Sequence, residues 1–223
     1  MVTVIFANGL SASPPNLRSL LADATLIIAA DGGSSACERL GIIPDVLIGD
    51  LDSTPLAVVE KYMEKQVAIH RHPSRKDATD LELALDFALS KGMGQVILIG
   101  GLGGRWDMSL ANILLCAAKK YCAMHITIAE ADCTMHLLHP GKTFTLLGLP
   151  GERVSLLPLG DDVTGLTLLG FEYPLQAATL PFGTTQGVSN VLQCPEATIE
   201  FTSGVLLCVH LFTGSDTTVN SAG

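Results

Sequence analysis

The chain has 223 residues, 48% hydrophobic and 16% charged, with a formal net charge of −9 and a mean hydropathy of +0.43. That content excludes a disordered chain and allows one or two domains with a sizeable core, while the acidity argues against a duplex nucleic-acid partner, whose phosphates it would repel. No apolar run reaches the ~18 residues of a membrane span, and the start lacks the basic and apolar segments of a secretory signal, so the expected location is the cytoplasm.

Over roughly the first 130 residues strand-like and helix-like runs alternate. Val2 to Asn8 reads as a buried strand, and Ser13-Pro14 predicts a short helix with serine as cap and proline at its first position. Thr25 to Ala30 is the next strand, ending in Asp31-Gly32-Gly33; a helix over Ser34 to Leu40 stops at Gly41. Val46 to Ile48 is a strand running into Gly49-Asp50-Leu51-Asp52-Ser53, followed by a helix over Pro55 to Lys65 and a strand over Val67 to His72. Thr79-Asp80-Leu81-Glu82 reads as a capping box opening a helix to Lys91. Gln95 to Ile99 is a strand, Gly100 to Gly104 a glycine run, Trp106 to Tyr121 a helix and His125 to Ala129 a strand. This alternation predicts an α/β domain with a mostly parallel, Rossmann-like sheet.

The pattern changes near Thr134. Short strand-like runs follow at Thr143–Leu147, Val154–Leu157, Leu166–Leu169, Ala178–Pro181, Ala197–Phe201 and Val205–His210, punctuated by Gly, Pro, Asp and Ser. That spacing predicts an all-β sandwich or barrel. The expected domains are residues 1–135 and 140–213, with a small, polar, frayed tail over 214–223. None of the six cysteines forms a C-x-x-C pair, so reduced thiols are expected. Cys133, His136 and His139 offer soft ligands for zinc but show no fourth one. His70 and His72 alternate along a strand, either as a metal pair or as half-exposed strand residues.

Four segments fall at strand ends, where open α/β sheets bind ligands. Asp50 and Asp52, two apart in an extended segment, point to one side and need a cation or a proton between them. An oxygen-only pair suits Mg²⁺ with substrate phosphates; a solvated turn after a strand is the alternative. Asp77 and Asp80 share one face at a helix start, as caps or, for Asp80, as a third metal ligand. Lys76 beside them suits a phosphate contact or a counter-charge. The glycine run, including Gly101, Gly103 and Gly104, can turn backbone N–H groups toward a phosphate, with Arg105 as the cation. It matches neither the P-loop nor the dinucleotide fingerprint.

Taken in order, Asp31-Gly32-Gly33, Pro44-Asp45, Gly49 to Ser53, Lys76 to Asp80, Gly100 to Asp107 with Leu110-Ala111-Asn112, Tyr173-Pro174-Leu175 and Gly183 to Asn190 resemble the thiamine pyrophosphokinase family. The resemblance spans nearly the whole chain. It implies an ATP- and Mg-binding α/β domain, a thiamine-binding β-sandwich that also dimerises, and a homodimer whose active sites are shared between subunits. The implied reaction moves pyrophosphate from ATP to the hydroxyethyl group of thiamine, giving thiamine diphosphate and AMP. By the same resemblance Asp50, Asp52 and Asp80 hold Mg²⁺. ATP lies along the glycine run against Arg105 and Asp107, with Asp31, Gly32 and Lys76 at the same rim. Ser189 and Asn190, contributed by the second subunit, line the thiamine pocket with Tyr173. From the chemistry of the step, a carboxylate near the hydroxyl takes its proton, and Asp77 or Asp80 is the expected acceptor. The chain departs from the family at Met108-Ser109, where His-Thr is frequent, and at Gln186, where Arg is common. The rival expectations are a haloacid-dehalogenase-type phosphatase, from Asp50-Leu51-Asp52-Ser53-Thr54, and a module that binds nucleotide or thiamine without turnover.

Overall fold

The structure, a computed structural model, describes residues 1–9, 13–75 and 77–212. Lys76 and the 214–223 tail expected from sequence lie outside them. The chain divides into two units, Met1–Ala131 and Asp132–Gly223.

The first unit is built on β1 (Val2–Phe6), β2 (Leu26–Ala30), β3 (Val46–Gly49), β4 (Ala68–Arg71), β5 (Gln95–Ile99) and β6 (His125–Ala129). They lie in the order β6-β5-β1-β2-β3-β4, and every pair is parallel. A parallel sheet covered on both sides needs strands that are apolar on both sides, which is why β1, β3 and β5 read as continuous apolar runs. Val4, Phe6, Ala29, Leu47 and Ile97 face one core, with residues of α1 (Leu17–Ala22), α2 (Gly33–Leu40) and α3 (Leu56–Glu64) packed on it. The alternate positions, Ile5, Ile28, Ile48 and Leu98, are equally buried and face the other way. Leu81, Ala84, Leu85 and Ala88 form the buried stripe of α4 (Asp80–Ser90), which packs on β2 and β3.

Strands β1 to β4 step outward in one direction, whereas β5 returns to the opposite side of β1. The β1–β5 junction is thus a topological switch point, and a crevice opens there beyond the strand carboxyl ends.

Two helices differ from the sequence expectation. α1 begins at Leu17 rather than at Pro14, because Pro14 precedes Pro15 and a residue before proline is pushed out of the helical region. The helix expected over Trp106 to Tyr121 splits into α5 (Trp106–Cys116) and a 3₁₀ turn, Lys119–Tyr121. The break lets Tyr121, fully buried, donate its hydroxyl to Asp86 Oδ1 on α4 at 2.7 Å. The capping box at α4 forms by half. Thr79 accepts from the Glu82 N–H, but the Glu82 carboxylate turns to Lys120 Nζ at 2.7 Å.

The second unit holds β7 (Cys133–Leu138), β8 (Phe144–Leu147), β9 (Arg153–Pro158), β10 (Val163–Leu169), β11 (Leu175–Leu180), β12 (Asn190–Val191), β13 (Glu196–Glu200) and β14 (Leu206–Leu211). They form two antiparallel sets, β12-β9-β14-β7 and β11-β10-β13-β8. Inward residues of both sets, among them Val154, Leu156, Leu166, Leu168, Ile199 and Leu206, share one core, so this unit is a β-sandwich. Strand β7 was missed in sequence because its histidines and cysteine suggested ligands; it pairs residue for residue with β14. Cys133 and His136 differ in parity along that strand, the His136 ring packing 4.9 Å from Phe144, and His139 lies beyond the strand's end; among the described residues the three do not form a close ligand group. The zinc set therefore does not converge. On β4, the His70 ring packs 4.9 Å from Phe87 of α4, as a half-exposed strand histidine would.

Candidate functional site

The crevice of the first unit is a cleft of about 640 Å³ lined from the carboxyl ends of β1 to β5. Its floor is a close approach of two backbones. The Gly9 N–H donates to the Gly100 carbonyl at 2.7 Å, and a Cβ on Gly9 would stand 2.3 Å from that oxygen.

The acids stand on one side of the cleft. Asp31 follows β2 and Asp50 follows β3; these strands are neighbours in register, Ala30 opposite Ile48, so their terminal acids meet. Oxygens of Asp31, Asp50 and Asp52 all lie within 4.8 Å of one another, and among the described residues this is the single group of three or more His, Cys, Asp or Glu side chains so placed. The sequence argument had the right pair for the wrong reason. Strand β3 ends at Gly49, and Leu51 is left-handed at φ 67°, so Asp50 and Asp52 converge through a turn rather than along an extended segment. The Asp52 N–H donates to Asp50 Oδ1 at 3.1 Å, closing a turn of the kind aspartate favours.

Asp31 is 6% exposed and also has positive φ, 39°. Non-glycine residues held there store on the order of 1–3 kcal/mol of strain each, a cost that clusters at functional sites. Burial raises the Asp31 carboxyl above the ordinary carboxylate range; a Ser53 hydrogen bond opposes this, and the charges of Asp80, Asp50 and Asp52 add to the rise. Asp31, expected as a nucleotide contact, is the third member of this close group, and Asp80, expected as the third ligand, is not in it. Asp80 opens α4 beside it. A Cβ on Gly49 would lie 3.1 Å from Asp80 Oδ1 and 2.7 Å from the Asp31 Cβ. An all-oxygen trio with mutual repulsion, anchored by the buried Asp31 and opening outward through Asp50 to the exposed Asp52, suits a hard divalent cation such as Mg²⁺.

The glycine run and α5 stand opposite. Two α5 side chains fix the run: Asn112 Nδ2 donates to the Gly101 carbonyl at 2.7 Å, and Ser109 Oγ accepts the Gly103 N–H at 3.0 Å while donating to the Arg105 carbonyl. Ser109, one of the departures from the family pattern, thus supports the loop. Arg105 forks onto Asp107, Nε to Oδ1 at 3.1 Å and Nη2 to Oδ2. The pairing raises the Arg105 guanidinium and lowers the Asp107 carboxyl.

Of the residues singled out in sequence, Asp31, Gly32, Asp50, Asp52, Asp80, Gly101, Gly103, Gly104 and Arg105 line the cleft. Asp77 and Asp107 are not among its lining residues, and Lys76 is outside the described residues. Sequence reasoning missed Asn8 and Ser74, which also line it, as does Asn112, quoted in the resemblance but given no role there. Asn8-Gly9 is a turn signal at the end of the first strand, and would have marked the switch point.

Tyr173, Ser189 and Asn190 belong to the sandwich. Asn190, 7% exposed, spends its amide on backbone: Oδ1 accepts from Tyr173 N at 3.0 Å and Val191 N at 2.8 Å, and Nδ2 donates to the Tyr173 carbonyl at 2.9 Å. Ser189 is exposed and left-handed at φ 60°, with its N–H donated to Ser155 Oγ at 3.1 Å. Tyr173, Gln186, Val188 and Asn190 edge a cavity of about 200 Å³ that is walled by Leu156 and Leu166.

Comparison with known proteins points one way for both units. Residues 17–128 match the model of the thiamin pyrophosphokinase catalytic domain, and residues 136–206 match that family's vitamin B1 binding domain. A thiamine pyrophosphokinase of Bacillus subtilis is 31% identical over 206 residues, covering 92% of this chain and 96% of its own. The solved structure of a B. subtilis thiamine pyrophosphokinase superposes with a TM-score of 0.84 at 30% identity, covering 96% of this chain and 100% of that one. One from Geobacillus thermodenitrificans gives 0.82 at 29% identity, with 96% and 99% covered. Neither rival expectation, phosphatase or non-catalytic module, gains support from these relatives.

Proposed function

The chain belongs to the thiamin pyrophosphokinase family, and we propose that the cleft at the β1–β5 switch is where it carries pyrophosphate from ATP to thiamine, with AMP as the second product. One observation carries this reading: a converging acid trio faces a pinned glycine loop and Arg105 across a cleft of about 640 Å³. We read the first unit as a Rossmann-like nucleotide frame on the same ground.

Asp31, Asp50 and Asp52 would hold Mg²⁺, with Asp80 beside them; when bound, the ion neutralises phosphate oxygens. The triphosphate would run along the glycine loop, where Arg105 leaves or shares Asp107 to reach it. The transferred group needs little covalent help, so positioning and charge neutralisation supply most of the catalysis. The thiamine hydroxyl loses a proton as it attacks the β-phosphorus. Of the two acids considered for that proton, Asp80 lines the cleft, and we retain it over Asp77. Thiamine is itself a cation, which the acidic rim favours.

We infer that the sandwich supplies the thiamine side, through Ser189, Tyr173 and the cavity that Asn190 edges. We also infer a homodimer with shared active sites. Its support is apolar surface otherwise left in water: Trp106, Leu110 and Leu114 recur at helical spacing on α5, 91%, 59% and 50% exposed. Among the described residues no helix is long and apolar enough to cross a membrane, which is compatible with the proposed cytoplasmic location.

The deciding experiment follows AMP release from ATP. The reading requires AMP only when thiamine and Mg²⁺ are both present. Orthophosphate released from phosphate esters without AMP would identify a phosphatase. Binding of thiamine and ATP without AMP would identify a sensor.

A further inference from the structure

Thr54 lies three residues beyond the left-handed Leu51, in the turn that carries Asp50 and Asp52, yet its side chain leaves that turn. It is 6% exposed, and its hydroxyl stands 3.1 Å from the Asp31 carbonyl, 3.3 Å from Asp31 Oδ1 and 3.0 Å from Ser34 Oγ. A hydroxyl has one proton to give. Both Asp31 atoms are acceptors, so the Thr54 proton goes to Asp31, and Thr54 must accept from Ser34. Ser34 is fully buried, which keeps water from competing for its proton. The direction of the chain is therefore set: Ser34 to Thr54 to Asp31.

Asp31 needs such a hold. It sits at positive φ among Asp50, Asp52 and Asp80, and nothing about like charges keeps it there. Its N–H donates to the Ile48 carbonyl at 2.8 Å and its own carbonyl accepts from Ser34 N at 2.9 Å, so its backbone is fixed. Thr54 adds the link from the β3 turn to the Asp31 carboxylate.

We propose that Thr54, oriented by Ser34, is a positioning residue that clamps Asp31 against the Asp50–Asp52 turn and so preforms the site for a hard divalent cation. The proposal rests on the reading of the trio as that site. Partners behind metal-ligating groups are typically worth about 10–100-fold in metal affinity, and Thr54 would act in this range.

The test titrates the full-length protein with Mn²⁺ alone, read by electron paramagnetic resonance or calorimetry, with no nucleotide and no turnover. Thr54→Val should weaken Mn²⁺ binding about tenfold or more, and Thr54→Ser should restore it. Asp50→Asn should remove it. If Asp50→Asn binds Mn²⁺ as the parent does, the cation reading fails and the clamp with it. If Asp50→Asn loses Mn²⁺ but Thr54→Val binds like the parent, the clamp alone is overturned. Melting in EDTA checks folding. Should Thr54→Val not fold, Ser34→Ala decides, because it frees the Thr54 hydroxyl to rotate: weaker Mn²⁺ binding supports the clamp and parental affinity overturns it.

Discussion

Asn190 brackets Tyr173 at both backbone atoms, accepting its N–H at 3.0 Å and donating to its carbonyl at 2.9 Å. The asparagine therefore acts on the cavity edge through the tyrosine. Removing a buried hydrogen-bonding group costs about 1–3 kcal/mol, so Asn190→Ala should destabilise the sandwich by about 2 kcal/mol. It should also raise the KM for thiamine more than it lowers kcat. Asn190→Asp keeps both acceptor contacts but faces an oxygen toward the Tyr173 carbonyl, and should behave nearly as badly. Chemical denaturation and thiamine-saturation kinetics measure the two effects; unchanged thiamine KM in both variants would detach this bracket from substrate binding.

Gly49 stands between two acids with no room to spare. A Cβ there would sit 2.7 Å from the Asp31 Cβ and 3.1 Å from Asp80 Oδ1, at φ 153°. Gly49→Ala should push the acids apart, and displacements near 1 Å cost on the order of 10²-fold in rate. Asp50→Asn and Asp52→Asn remove charge without changing shape and should each lower kcat by about 10²–10³-fold, with the fold intact by circular dichroism. Near-parental kcat in both asparagine variants would end the assignment of these acids to the reaction.

Half of the site is legible in the sequence. Every strand-end segment named in sequence reached the rim, because the first polar residues after a buried apolar strand mark its carboxyl end. Register was not legible. That Asp31 meets Asp50 depends on β2 lying beside β3 with Ala30 opposite Ile48, a pairing no local pattern reveals. Thr54 looked like part of a phosphatase motif because its side-chain direction depends on the Leu51 turn. Arg105 and Asp107 read as separate ATP contacts in sequence, whereas in the fold they pair with each other. In the sandwich, the alternation of β10 is hidden by its register shift around Gly165, whose φ is 67°, so its buried residues fall at Val163, Leu166 and Leu168.

Arg105 is engaged by Asp107 through both arms of its fork. A planar fork and a flexible ammonium differ most where two parallel bonds are made. Arg105→Lys should therefore raise the KM for ATP about tenfold, whereas the KM for thiamine should hold. Asp107→Ala frees the guanidinium and tests whether Asp107 only parks it. A parked arginine predicts an ATP KM equal to or below the parent's; an ATP contact by Asp107 itself predicts a rise. Initial-rate kinetics with ATP varied at saturating thiamine distinguish these results.

His139 gives the chain a dependence on pH that is separate from catalysis. Its Nε2 is shut off from solvent with no hydrogen-bond partner among the described residues, and burial lowers its pKa from the ordinary 6.5. The folded state thus favours the neutral ring, while the unfolded chain takes a proton near its ordinary value. Stability is greatest above that value, and it declines as pH falls from there through the lowered folded pKa, because unfolding takes up a proton in that window. Below the folded pKa both states are protonated and this contribution stops changing. His139→Leu removes the titration. Melting temperatures of parent and variant, measured from pH 8 to pH 5, should diverge below about pH 6.5 with the parent losing more. Curves that stay parallel across the range would show that His139 does not set the acid limb of stability.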